Sequence, residues 1–207
     1  MIIGKTNLNC CNQRARIREK LYRRGRGFSF SRTGIITRIN DGTYGNKVTV
    51  DGLIEILINF ERKTMCAAIA CKEQACPDDE KACFWVGTGS IKFGGLSKEF
   101  IEKIFECGII SDDREFAVGY FRNLDNGVEL ATIVYQVAFA VSGRKEIVID
   151  GAEERNLSLK ITVSPLEYIS TSGEKRITYS EINSENEANI WREVENRVCL
   201  ADFARLL

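Results

Sequence analysis

Hydrophobic and polar positions change their spacing several times along this chain, and each change predicts an element. Ile17 and Leu21, four residues apart, predict a short helix that opens near Arg14. From Phe28 the spacing turns to alternation, with Phe28 and Phe30, then Ile35, Ile36 and Ile39. A turn at Arg32-Thr33-Gly34 and a second at Asn40-Asp41-Gly42 make this a β-hairpin on sequence grounds. Between Lys47 and Ile69, Val48 and Val50 alternate while Leu53, Ile56, Leu57 and Phe60 recur at helical steps, so a strand followed by a helix is expected. An exposed loop is expected around Cys76-Pro77-Asp78-Asp79-Glu80, and a short buried strand at Phe84-Trp85-Val86.

The clearest helix runs from Lys98 to Cys107. Ser97 stands at its N-cap, Leu96 and Ile101 form a hydrophobic staple, Gly108 ends it, and Phe100, Ile101, Ile104 and Phe105 make its buried stripe. A strand-rich block follows: Val128 to Val141 is long and apolar, Ser142-Gly143 reads as a turn, and Glu146 to Ile149 and Leu157 to Val163 supply further strands of a meander. Ser184-Glu185-Asn186-Glu187 is a capping box that opens a last helix, in which Trp191, Val194, Val198 and Ala201 recur at steps of three and four. That stripe either closes the core or docks on a neighbour, which makes Trp191, Val194 and Val198 candidates for a partner-facing helix. The fold class expected is α+β, mainly antiparallel β-sheet with a central helix and a C-terminal amphipathic helix. Its divisions are a basic N-terminal arm (1–27), an α+β core domain (28–183) and a C-terminal helix (184–207).

Composition supports a globular chain, with 44% hydrophobic and 28% charged residues, two prolines and a formal net charge of zero in 207 residues. No stretch reaches the roughly 18 apolar residues of a membrane span, and Met1 to Asn12 lacks a signal-peptide core, so the expected location is the cytoplasm or the inside of a virus particle. The charge is unevenly spread. Between Arg14 and Arg32 stand Arg14, Arg16, Arg18, Lys20, Arg23, Arg24, Arg26 and Arg32 against the single Glu19. Guanidinium groups present a planar fork of donors that suits phosphate, so this run is the candidate surface for nucleic acid or for an acidic face of another subunit.

Histidine is absent, which removes the commonest general base and the commonest metal ligand. Of the eight cysteines, Cys66, Cys71, Cys76 and Cys83 cluster in sequence, but their spacing is not that of paired zinc knuckles, and no metal site is expected from them. Gly87-Thr88-Gly89 and Gly94-Gly95 bracket a glycine-rich stretch ahead of the Ser97 helix. Their spacing is neither a P-loop nor a dinucleotide fingerprint, and turns are expected there.

From Phe100 to Tyr120 a helix, a Cys-Gly break and Ile109-Ile110-Ser111-Asp112-Asp113-Arg114-Glu115-Phe116 lead into a strand. This segment resembles the RusA-like Holliday-junction resolvase family, in which a helix ends in a short hydrophobic turn and an Asp-Asp pair. In that family an upstream Asp-x-Asp-Asn-x-x-Lys segment supplies further metal-binding carboxylates. The counterpart here is Lys92-Phe93-Gly94-Gly95-Leu96-Ser97-Lys98, where Lys98 matches and the acidic residues do not. Arg24-Gly25-Arg26-Gly27-Phe28 is similar to the basic, glycine-containing N-terminal segment of some members. The resemblance implies Asp112, Asp113 and Lys98 as nuclease residues with magnesium as the ion. Two carboxylates alone hold such an ion poorly, so a relative without catalysis is the form expected.

The expected functions, in order, are a non-catalytic assembly or protein-interaction component such as a viral or phage structural subunit, a nucleic-acid binder on a RusA-like scaffold, and a metal-dependent nuclease. The partners expected are other protein subunits, with a homo-oligomer foremost, and nucleic acid through the N-terminal arm. No cofactor and no membrane enter the first of these.

Overall fold

The computed structural model describes residues 14–20, 29–38, 44–50, 52–66, 81–124, 126–148, 154–170, 173–185 and 188–197. These residues form β1 (Arg14–Lys20), β2 (Ser29–Arg38), β3 (Tyr44–Thr49), β4 (Leu53–Cys66), β5 (Lys81–Ser97) and α1 (Lys98–Glu106) in the first half. The second half adds β6 (Glu115–Asn123), β7 (Glu129–Val148), β8 (Glu154–Val163), β9 (Leu166–Ser170), β10 (Gly173–Ile177), β11 (Tyr179–Asn183) and α2 (Ala188–Arg197). Nine strands make one antiparallel sheet in the order β1-β4-β5-β8-β7-β6-β2-β3, with β11 also paired to β7, and β9 and β10 form a separate hairpin. The architecture is α+β and mainly antiparallel.

Two cores lie on opposite faces of the central strands. One joins Ile56, Ile58 and Phe60 of β4, Ile91 and Phe93 of β5, and Leu157, Leu159 and Ile161 of β8 to Phe116, Val118 and Tyr120 of β6 and Ile101, Ile104 and Phe105 of α1. The other joins Phe121, Ala131, Ile133 and Tyr135 to Leu166, Ile182, and Trp191 and Val194 of α2. Adjacent residues of a strand point to opposite faces, so Tyr120 enters one core and Phe121 the other. Strand β7 does the same, with a change of phase. Ile133 and Tyr135 face the second core, whereas Val137 and Phe139, at the same parity, face the first. The switch falls at Gln136, which has φ +47°, where the β6–β7 register slips between Phe116↔Val137 and Val118↔Val134. This β-bulge is held on the side away from β6, where Tyr135 N–H donates to the Thr178 carbonyl at 2.9 Å and the Gln136 carbonyl accepts from Ser164 N–H at 3.1 Å.

The helix α1 forms as its local signals dictate. The Ser97 hydroxyl accepts from Phe100 N–H at 3.1 Å, Leu96 and Ile101 are both buried, and Gly108 takes φ +67° while Ile110 N–H closes on the Ile104 carbonyl at 2.9 Å. Residues of the expected exposed loop at 76–80, and of the turn at 40–42, lie outside the described residues.

Five local expectations are corrected by sheet pairing. Residues 14–20 form a strand in register with β4, Ile17 opposite Ile58, not a helix. Arg32-Thr33-Gly34 lies within β2 as an irregularity in its pairing with β6, while the antiparallel pair actually formed is β2 with β3. The segment 53–66 is strand, because the residues it buries, Ile56, Ile58 and Phe60, are spaced by two. Gly87 and Gly89 are inside β5, where a Cβ at Gly87 would lie 2.8 Å from Ile58 and one at Gly89 would strike the Leu57 carbonyl; glycine lets β4 and β5 close there. Ser142-Gly143 is likewise internal to β7, at the register shift against β8.

Candidate functional site

The residues singled out by the resolvase resemblance are engaged in the fold. Asp112 follows α1 in the turn that leads into β6, whose pairing with β7 stops at Glu115↔Ala138. Past that point the Asp112 carboxylate takes the place of a neighbouring strand. One oxygen accepts from Val141 N–H, and the other accepts from Ser142 N–H at 3.1 Å. Asp113, beside it, accepts a short hydrogen bond from the Ser111 hydroxyl. That bond foremost, and then a backbone hydrogen bond, hold the Asp113 carboxyl below the usual aspartate value against the opposing effect of burial, with a lesser contribution from the Arg114 charge. Lys98 opens α1 and pairs with Glu102 at 3.4 Å, an exposed i,i+4 contact. Among the described residues no group of three or more cysteine, aspartate or glutamate side chains is placed to hold a metal ion.

The basic run is divided between elements. Arg14, Arg16 and Arg18 occupy alternate positions of β1, in register with Glu61, Asn59 and Leu57 of β4, and Lys20 stands opposite Glu55. Arg32 lies in β2, and Arg23, Arg24 and Arg26 lie outside the described residues. Of the candidate partner-facing residues, Trp191 and Val194 are buried in the second core of their own chain, where the Trp191 ring meets Phe121 edge to face at 5.5 Å; Val198 lies outside the described residues. Cys66 ends β4 and Cys83 lies in β5, Cys71 and Cys76 are outside the described residues, and Cys107 is exposed at the end of α1.

Three surface features remain that the sequence pattern did not single out. The sheet ends in β1 on one side and β3 on the other, each with one strand neighbour among the described residues. Strands β4 and β5 run on together past β1 and β8, from Arg62↔Trp85 to Cys66↔Lys81, as a two-stranded ribbon. Its root is fastened by Arg176 over the Phe84 ring at 5.5 Å, by the Thr178 hydroxyl donating to the Trp85 carbonyl at 3.0 Å, and by Tyr179 stacked on Phe60 at 5.2 Å. The third feature is the far end of the β7–β8 hairpin. There Ile147 and Val148, adjacent residues on opposite faces, are 63% and 61% exposed. Just before them Glu146 accepts from Arg144 at 2.8 Å and Arg155 at 2.9 Å, and the Arg144 hydrogen bond, foremost, holds its carboxyl below the usual glutamate value. Arg144 also lies over the Phe105 ring at 5.0 Å, tying the hairpin to α1.

An ion pair between a buried arginine and an exposed glutamate completes the electrostatics. Arg122 of β6 donates to Glu181 of β11 at 2.8 Å, and Thr132 of β7 donates to the same carboxylate oxygen at 3.4 Å. Its members are far apart in the chain and come together across three strands, so no local signal could have found them. No helix among the described residues is long and apolar enough to cross a membrane. No family model matches this chain, and no curated protein is similar to it.

Proposed function

We propose that this chain is a non-catalytic structural subunit that assembles with copies of itself, of the kind that builds a virus or phage particle. The observation that carries the reading is the open sheet. Its terminal strands β1 and β3 each have a row of backbone donors and acceptors with no strand against it among the described residues, and such edges pair readily with another chain. The β4–β5 pairing that runs on past β1 and β8 among the described residues, with its root fastened, supplies an element suited to serve as an arm to a neighbouring subunit. Asp112 and Asp113 fit this reading as structural residues, since the bonds they make order the α1–β6 turn and a strand edge.

A second reading is favoured by β1. Its cationic residues, Arg14, Arg16, Arg18 and Lys20, recur at every other position of an edge strand, and this spacing suits a phosphate backbone. In this reading the chain holds nucleic acid on a scaffold resembling the RusA-like resolvases, with catalysis degenerate.

Sedimentation velocity of the purified protein, alone and with a labelled DNA junction at low and moderate salt, tests both. A discrete oligomer or polymer that ignores the junction is the expected result. A monomer that carries the label at low salt and releases it as salt rises would replace the assembly reading with the second. In that event replacing Arg23, Arg24 and Arg26 with alanine would weaken binding, and magnesium-dependent cleavage lost in Asp113→Asn would establish a nuclease.

A further inference from the structure

The assembly reading leaves open which edges meet, and the far half of β7 supplies one of them. On one side of β7, strand β6 covers Glu129 to Ala138, the Asp112 carboxylate covers Val141 and Ser142, and no strand covers Gly143 to Val148 among the described residues. On the other side β8 holds the strand extended, from Lys145↔Ser158 to Val148↔Arg155. The result is an edge that β8 orders from Lys145 to Val148, past the irregularity between Ala140 and Lys145, with two exposed aliphatic side chains on opposite faces. An ordered edge of this sort accepts an extended strand at little entropic cost, because its own backbone is already fixed.

We propose that residues 143–148 of β7 accept the edge strand β3 of a second copy, head to tail, with Asp112 marking where the incoming strand must begin. The choice of β3 follows from length and charge, and the proposal rests on the assembly reading. Strand β3 spans six residues, Tyr44–Thr49, as does the open stretch, and Lys47 is its one charged residue. The other edge with a single strand neighbour among the described residues, β1, carries Arg14, Arg16, Arg18 and Lys20, which Arg144 and Lys145 would repel, as like charges across strands do. Two different edges joined head to tail leave a donor and an acceptor at every step, so the contact propagates into a ring or a filament.

The test uses the full chain and two variants. Ile147→Lys/Val148→Lys disables the acceptor edge and Asn46→Lys/Thr49→Lys disables the donor edge, with circular dichroism and thermal melting confirming that each keeps the fold. The expected result is that the wild-type chain sediments as an oligomer, each variant alone as the 23.3 kDa monomer, and an equimolar mixture of the two as a dimer, because each then supplies the one edge the other lacks. Wild-type-like assembly of either variant, or no dimer in the mixture, overturns the pairing while leaving the assembly reading in place. A wild-type chain that is monomeric at every concentration overturns both.

Discussion

Asp112 caps a strand edge with a carboxylate where β6 no longer reaches, and Glu146 joins two strands of a hairpin through two arginines. Removing Asp112 leaves two backbone donors with only water. Asp112→Ala is therefore expected to cost about 1.5–3 kcal/mol, the range for hydrogen bonds to a charged acceptor, and Asp112→Asn to recover part of it; urea denaturation of both variants measures this. A clear loss in Asp112→Ala with no loss in Asp113→Ala would separate the cap from its neighbour. Glu146 adds a pH signature. Its folded-state carboxyl titrates below the ordinary value of 4.5, so its contribution is fully present above that value and is lost as pH falls through the lower, folded-state value. The stability gap between the wild type and Glu146→Gln should therefore be constant near neutrality and shrink below about pH 4.5. A gap that widened on acidification would contradict the assignment. Neither role was legible in the sequence. The segment Ser111-Asp112-Asp113-Arg114 does read as a polar turn, but the donors that Asp112 serves are 29 and 30 residues downstream, and only the sheet brings them back.

Among elements, those specified by neighbours in sequence were legible and those specified by partners across the sheet were not. Helix α1 is legible with its cap, staple and terminating glycine, since all three act within a turn of the chain. Strands β1 and β4 carry a helical pattern for the opposite reason. Ile17 and Leu21 satisfy helical and strand spacing alike, and in β4 the helical set Leu53, Ile56, Leu57 and Phe60 overlaps the strand set Ile56, Ile58 and Phe60, so the pairing Ile17↔Ile58 decides. The partner-facing stripe proposed for the last helix is, for Trp191 and Val194, a core stripe. Trp191→Ala is expected to cost about 3–5 kcal/mol, because it empties the space against Phe121 and detaches α2 from the second core. Near-ultraviolet circular dichroism and denaturant titration follow that loss. An undiminished midpoint would mean that α2 does not hold the sheet.

At the scale of the whole molecule, β6 and β7 carry both cores, so the residues hardest to expose lie at the centre of the sheet. Hydrogen–deuterium exchange should be slowest across Phe116 to Phe121 and Ala131 to Val137, and faster in β1, in β3 and at Ile147 and Val148. Slower exchange at those outer strands in the assembled protein than in the monomeric variants would locate the contacts between subunits. The sequence indicated a strand-rich body but not this double core, because Val128 to Val141 is apolar throughout and a bulge at Gln136 leaves no mark in a continuous apolar run.

The order of strands in the sheet also sets a clock on the birth of the molecule. Strand β2 ends at Arg38 and its neighbour β6 begins at Glu115, so on a ribosome adding about 5–20 residues per second β2 waits on the order of 4–15 s for that partner. During the wait β3 alone can shield it, through a short local hairpin. Nascent chains crowded on one message thus meet while their edges are still bare, and a cell that makes this protein fast has reason to keep them apart until residue 123 has emerged.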